Sequence, residues 1–66
     1  MKHELTSKRL RIAMSRANIT AQELSIKSGV AKASISQYVN GSHKPSNISS
    51  GKMASILDVN PLWLMG

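Results

Sequence analysis

The segment from Ile19 to Asn40 constrains the fold of this chain most strongly, because it predicts two short helices joined by a tight turn. Thr20 and Glu23 have the spacing of a capping box, which opens the first helix. Gly29 supplies the backbone freedom that a steep change of direction between helices requires. Asn40 followed by glycine marks the end of the second helix. The two predicted helices cover residues 21–28 and 32–40.

The length of 66 residues allows one domain with one small core, and we predict a single domain over residues 1–66. Cysteine is absent, so neither a disulfide framework nor a thiolate metal site can stabilise the fold. The apolar residues recur at helical rather than alternating spacing. We therefore predict a compact all-α domain of five helices. The three helices outside the central segment are predicted at about residues 5–17, 47–57 and 61–65.

The first and last helices carry contrasting apolar patterns. In the first, Leu10, Ala13 and Met14 form a stripe that Leu5 and Ala17 are expected to extend. In the last, Asn60 and Pro61 are a good cap and first-turn pair, and the four residues after them are all apolar. Such a helix cannot bury every side chain in its own domain. We expect part of it to cover a partner subunit or to be covered by further chain.

The chain is strongly basic, with nine Lys and Arg against three Asp and Glu and a formal net charge of +6. Such a balance favours binding to nucleic acid, although it would also suit solubility or an anionic lipid surface. The apolar runs are too short to span a bilayer, and the N-terminus has charges where a signal peptide needs apolar residues. We expect a cytoplasmic location, in a bacterium or an infected host cell, and no membrane partner.

The second helix of the central segment has two different faces. At 100° per residue, Ile35 and Tyr38 point to one side with Ser34 beside them. The opposite arc is small and polar, and it consists of Lys32, Ala33, Ser36, Gln37 and Asn40. We interpret this arc as a candidate face for reading the major groove of DNA.

Short motifs along nearly the whole chain resemble the DNA-binding domain of lambda-type phage repressors and Cro proteins. They are Arg9-Leu10-Arg11, Ile19-Thr20, Glu23-Leu24, Ser28-Gly29-Val30, Ser34-Ile35-Ser36-Gln37, Asn40-Gly41, Lys44-Pro45-Ser46, Ala54 with Leu57, and Trp63-Leu64. The closing segment from Asn60 to Gly66 is similar to the end of the N-terminal domain in two-domain prophage repressors. In those proteins a hinge and a C-terminal oligomerisation domain follow.

This resemblance implies a transcriptional repressor that binds a pseudo-palindromic double-stranded operator as a homodimer. The implied base contacts are Lys32, Ala33, Ser36 and Gln37, whose side chains suit guanine, a thymine methyl, either class of base and adenine, respectively. The implied phosphate contacts are Gln22, Asn40, Ser42, Lys44 and Ser46, which His43 could join. The implied dimer interface lies in the last helix, at Leu62, Trp63 and Met65.

Three features depart from the pattern of the resembled family. The fourth helix normally carries more leucines than Asn47, Ser50 and Gly51 provide, which affects where that helix starts. Ala31 stands where a Ser or Thr usually caps the second helix of the central segment. Without that cap the stability of the helix should be lower by about 1 kcal/mol. Ala21 stands where Gln often meets phosphate, so Gln22 or the bare helix start would take over that contact.

Enzyme activity is not predicted. The two histidines lie in the N-terminal tail and a loop, and the three carboxylates are scattered, so nothing resembles a catalytic set, a phosphate-binding glycine loop or a metal-ligand spacing. We expect no cofactor, no metal and no small-molecule substrate. The alternative reading is a protein-interaction module with the same fold, such as an antitoxin.

Overall fold

The computed structural model describes residues 3–66 of the chain and shows five α-helices in that part. They are α1 (Glu4–Ala17), α2 (Ala21–Ser28), α3 (Lys32–Asn40), α4 (Asn47–Leu57) and α5 (Pro61–Met65). No strand occurs among these residues. The predicted all-α fold of five helices is therefore confirmed.

Local sequence signals set the helix boundaries of the central segment. The Thr20 hydroxyl accepts from the Glu23 N–H at 3.1 Å, and the Thr20 N–H donates to Glu23 Oε1 at 3.3 Å, which completes a capping box at the start of α2. Gly29 ends α2 at φ 79° and Gly41 ends α3 at φ 82°, both left-handed conformations that favour glycine. These two glycines allow the chain to change direction after α2 and again after α3.

The core lies where α1, α2, α3 and α4 meet, and α5 closes one side of it by packing against α4 and α1. Its largest fully buried apolar side chains are Leu10, Leu24, Ile35, Met53 and Leu64. Leu24 and Ile35 come from the two helices of the central segment, so burying them fixes how α3 lies on α2. The opposite face of α3 remains in solvent.

The predicted apolar stripe of α1 was wrong at both ends. Leu5 is 50% exposed and Ala17 is exposed, whereas Leu10 and Ala13 are fully buried. Leu5 precedes Leu10 by five residues, which turns it about 140° away from the buried face. Thr6 and Ser7 are buried instead, because they stand four and three residues before Leu10 on the same face.

Polar side chains of α1 bind the carbonyl ends of two other helices. The Ser7 hydroxyl donates to the Val39 carbonyl in the last turn of α3. The Thr6 hydroxyl donates to the Met65 carbonyl at the end of α5, at 2.9 Å. Carbonyl groups at helix ends have no partner within their own helix, so these bonds satisfy groups that would otherwise be left unpaired. The first turns of α1 thereby hold α3 and α5 in place.

The start of α4 is polar, and a cap explains how it forms. The Ser46 hydroxyl accepts from the Ser49 N–H at 3.1 Å, and Ser50, two turns from the end of the helix, is buried with its hydroxyl 3.4 Å from the Pro61 carbonyl. Gly51 lies within the helix, where a methyl group would meet open space. No helix of residues 3–66 has the length and apolar character needed to cross a membrane.

Candidate nucleic-acid interface

The turn between α2 and α3 is held by a small set of hydrogen bonds. The Ser25 hydroxyl donates to the Val30 carbonyl at 2.7 Å, and the Val30 N–H donates to the Ser28 hydroxyl at 3.2 Å. Val30 itself is buried in the core. Because these hydrogen bonds join both serines of α2 to the backbone of Val30, the start of α3 is fixed relative to α2.

The outward face of α3 carries the four residues predicted to contact bases. Lys32, Ala33, Ser36 and Gln37 are all exposed, whereas Ile35 on the opposite side is fully buried. Lys32 and Ser36 are four residues apart, as are Ala33 and Gln37, so each pair lies one turn apart on the same side of the helix, and the two pairs are neighbours. The structure therefore brings these four side chains together on one exposed surface, which we call the α3 face.

The start of α3 has no side-chain cap in the described part of the chain. Ala31 precedes the helix with φ −58° and ψ 137°, and its carbonyl accepts from the Ile35 N–H at 3.0 Å. The N–H groups of the first turn therefore remain available to water or to an external acceptor.

The loop after α3 folds back onto the helix end. The Gln37 carbonyl accepts from the N–H groups of Ser42 at 3.1 Å and His43 at 3.4 Å. Asn40 Oδ1 also accepts from the Ser42 N–H, at 2.9 Å. The oxygen of the Asn40 amide is therefore occupied, while its NH₂ group is the part that can donate outward.

The five predicted phosphate contacts come from the start of α2, the end of α3 and the loop that follows α3. Asn40 and Ser42 lie together at the end of α3, and Gln22 is exposed in the first turn of α2. The Ser46 hydroxyl oxygen accepts from the Ser49 N–H as the cap of α4, and its O–H group on this exposed residue can still donate to a phosphate. Lys44 lines a polar groove of about 170 Å³ with residues from the start of α1 and the end of α5.

A second groove, of about 330 Å³, lies between α1, α2 and α3. Its lining is mostly apolar and consists of Arg11, Met14, Ala21, Ser36 and Val39. We call it the α1–α3 groove. Ser36 belongs both to this groove and to the α3 face. Sequence reasoning included Arg11 only in the Arg9-Leu10-Arg11 motif and gave it no site role, although its i, i+3 spacing with Met14 places both residues along one side of α1.

The predicted dimer residues differ in exposure. Leu62 is 80% exposed, whereas Trp63 and Met65 are partly buried and Leu64 between them is fully buried. The Arg9 guanidinium lies 5.3 Å from the centre of the Trp63 ring and donates to the Trp63 carbonyl at 2.6 Å. Trp63 is thus largely engaged within its own domain, and Leu62 is the side chain left for another surface.

The sequence profile of the helix-turn-helix family matches residues 8–64, which include α2, the turn, α3 and the loop that follows. The chain belongs to the helix-turn-helix family. The resemblance to lambda-type repressors and Cro proteins is confirmed by this match. No curated protein and no solved structure matched the chain.

Membership of the helix-turn-helix family identifies the chain as a DNA-binding transcription regulator. The family is one of regulators that are typically not enzymes. In such proteins the second helix of the motif lies in the major groove and the first crosses the DNA backbone. In this chain α3 occupies the position of the second helix of the motif, and α2 occupies the position of the first.

Proposed function

We propose that residues 1–66 form the DNA-binding domain of a phage or prophage repressor that binds a pseudo-palindromic operator as a dimer in the bacterial cytoplasm. One observation carries the proposal: α3 buries Ile35 on one side and exposes Lys32, Ala33, Ser36 and Gln37 on the other. A helix held in this way presents a small, mixed polar surface of the kind that reads base edges.

Each residue of the α3 face has a defined chemical role in this proposal. Gln37 forms two hydrogen bonds with adenine N6 and N7, and Lys32 donates to guanine O6 and N7. The Ala33 methyl packs on a thymine methyl group, and the Ser36 hydroxyl donates or accepts according to the base it faces. Discrimination therefore rests chiefly on Gln37 and Lys32, because their bonds are the most base-specific.

The proposed phosphate contacts set the position of α3 in the groove. Gln22 and the first turn of α2 bind one phosphate, and the Asn40 NH₂ group and Ser42 bind another at the far end of α3. Lys44 and Ser46 extend the contact along the loop, and His43 joins them. These contacts act on all sequences alike because phosphates carry no base identity.

Selection of bound duplexes from a random-sequence library tests the proposed function. We expect an enriched pseudo-palindrome with half-sites about 34 Å apart, since two α3 helices must enter successive major grooves. An enriched site without two-fold symmetry would contradict dimeric operator binding.

A pair of variants separates base contacts from phosphate contacts on the selected duplex. Gln37→Ala should weaken binding to that duplex by about 1–3 kcal/mol and relax the preference at one base pair, whereas Lys44→Ala should weaken binding to the selected and scrambled duplexes equally. Equal losses on both duplexes for Gln37→Ala would assign Gln37 to the backbone. If wild-type affinity for duplex DNA did not fall as salt rises, a protein-interaction module would replace the repressor.

A further inference from the structure

The α1–α3 groove lies between the two parts of the motif that face DNA. Ala21 belongs to the first turn of α2, and Ser36 belongs to the α3 face. A DNA strand that runs from the start of α2 to the side of α3 must pass over the space between them. Arg11 and Met14 bring α1 to the same groove.

We propose that the α1–α3 groove receives one sugar-phosphate strand of the bound DNA, with the Arg11 guanidinium on a phosphate and Met14 and Val39 against the adjacent deoxyribose. This inference rests on the proposed function and adds α1 to the DNA interface. Arg11 is a phosphate-positioning residue in it, because its guanidinium contacts the strand backbone and not a base edge.

The charge of the groove fits a phosphate. Arg11 is exposed and is the charged residue in the lining, and it lies in a chain of net charge +6. Arg binds phosphate oxygens through two parallel N–H donors, which also fixes the orientation of the phosphate. Ala21 offers no side-chain donor beside it. Arg11 therefore supplies from α1 the cation that the side chain at the start of α2 does not.

The apolar lining fits the sugar rather than a charged group. Met14, Ala21 and Val39 present mainly carbon atoms, and the exposed edge of deoxyribose is also rich in C–H groups. Contact between these surfaces excludes water around the phosphate. A charge-assisted hydrogen bond is stronger in such surroundings than in open solvent.

The test compares two arginines of the same helix. Arg11→Gln and Arg16→Gln each remove one positive charge from α1, both positions are exposed, and Arg16 is not part of the groove lining. Dissociation constants are measured by calorimetric titration, with salt varied, on the selected duplex and on a random-sequence duplex of equal length. Circular dichroism melting verifies that both variants fold.

We expect Arg11→Gln to raise the dissociation constant about tenfold on both duplexes, as for loss of a hydrogen bond to a charged group. The slope of log affinity against log salt should become shallower by about one. Arg16→Gln should change affinity about twofold or less, because its charge acts only through screened solvent. Arg11→Lys should retain the wild-type salt slope, since the charge remains.

A scan of the selected duplex with single neutral methylphosphonate groups locates the contact. One position should weaken wild-type binding about tenfold and leave Arg11→Gln unaffected. Equal losses for Arg11→Gln and Arg16→Gln, or no phosphate position that couples to Arg11, would overturn the inference while leaving operator binding intact. Failure of the wild-type chain to bind either duplex would instead overturn the proposed function.

Discussion

Asn18 and Asp58 adopt left-handed conformations without being glycine, at φ 52° and φ 57°. Each ends a helix, α1 and α4 respectively, and each backbone N–H returns to a carbonyl of the preceding turn. Asn tolerates this conformation better than most residues do. Asp58 has the additional disadvantage that its carboxylate lies at the negative end of the α4 dipole.

Asp58→Gly should therefore raise the free energy of unfolding by about 1 kcal/mol, because it relieves both the backbone conformation and the dipole repulsion. Asp58→Asn, which removes only the charge, should give roughly half of that gain. Urea denaturation followed by circular dichroism measures both changes. Equal stability of Asp58→Asn and the wild type would show that the carboxylate costs nothing at this helix end.

Asn40 combines a structural oxygen with a proposed phosphate-binding NH₂ group, and one substitution separates the two. Asn40→Asp keeps the acceptor for the Ser42 N–H but replaces the donor with a negative charge in the last residue of α3. As at Asp58, this charge opposes the helix dipole, so the free energy of unfolding should fall by about 0.5 kcal/mol while the domain stays folded. We expect affinity for DNA to fall at least about tenfold. Mobility-shift titration measures the loss.

The matched control for Asn40→Asp is Asn60→Asp. Asn60 Oδ1 accepts from the Leu62 N–H at 2.8 Å, so this change also keeps its acceptor and adds the same charge, but at the cap before α5. Equal losses of DNA affinity in the two variants would exclude a phosphate contact by the Asn40 NH₂ group and leave Asn40 only the role of ending α3.

At the scale of elements, α3 is fixed by the burial of Ile35 and by the hydrogen bond from Ser7 to its last turn, but no side chain caps its start. Ala31→Ser should supply the missing acceptor, since the backbone at Ala31, with φ −58° and ψ 137°, is close to the extended conformation that a cap residue adopts. We expect the free energy of unfolding to rise by about 1 kcal/mol, measured by urea denaturation. Ala33→Ser, the same change inside the helix, should lower it by a few tenths of a kcal/mol.

A rise in stability for Ala33→Ser equal to that for Ala31→Ser would contradict capping as the cause. DNA affinity provides a second observation on Ala31→Ser. If the open N–H groups of α3 bind an acceptor on DNA, the new hydroxyl competes for them and affinity falls. Unchanged affinity would mean that these groups face water in the complex.

The helices were predictable from sequence where short-range chemistry sets them, and less so where distant partners do. The capping pair Thr20 and Glu23 and the glycine at 29 act within a few residues, so their effect could be read directly. The burial of Ser7 depends on a carbonyl of α3, 32 residues away, and could not. An apolar residue such as Leu5 was therefore favoured over a serine that the fold buries.

The α3 face was predictable for the same reason, since helical periodicity alone separates Ile35 from Gln37. The α1–α3 groove was not, because it exists only once three helices have packed together. Nor did the sequence indicate that the Arg9 guanidinium would contact the ring and carbonyl of Trp63, since these residues are 54 positions apart. Each missed feature joins segments that are distant in sequence.

At the scale of the whole molecule, size limits how a dimer can form. The Cα positions span 26 × 22 × 21 Å, while half-sites lie about 34 Å apart. Two such bodies on adjacent half-sites meet only near their edges. A stable interface usually buries about 800 Å² per partner, roughly a fifth of the 4068 Å² surface of this chain. The 66-residue domain alone should therefore self-associate weakly and dimerise mainly on DNA.

Leu62→Asp should abolish this weak contact, because Leu62 is the most exposed large apolar side chain of α5. We expect sedimentation to show monomers at all concentrations, and the ratio of full-site to half-site affinity to fall at least about tenfold. Ile48→Asp is the matched control, as Ile48 is 72% exposed on α4. Because both changes add the same charge, its general effect on DNA binding cancels in the ratio.

Unchanged self-association and an unchanged affinity ratio for Leu62→Asp would remove α5 from the dimer interface. A loss for Ile48→Asp as large as that for Leu62→Asp would move the interface towards α4. Either result would leave the α3 face untouched as the reading surface, since neither residue belongs to it.

Trp63 is the single tryptophan of the chain, and its ring lies beneath the Arg9 guanidinium next to the exposed Leu62. Its fluorescence is therefore an intrinsic reporter of the contact between α5 and α1, beside the proposed dimer contact. Detachment of α5 from α1 would expose the ring to water and shift its emission to longer wavelength, while α1 to α4 could remain folded. The emission wavelength of Trp63 can thus be compared with the helical circular dichroism signal of the unlabelled protein, with and without DNA. A shift in emission without loss of helix would distinguish movement of the last helix from global unfolding.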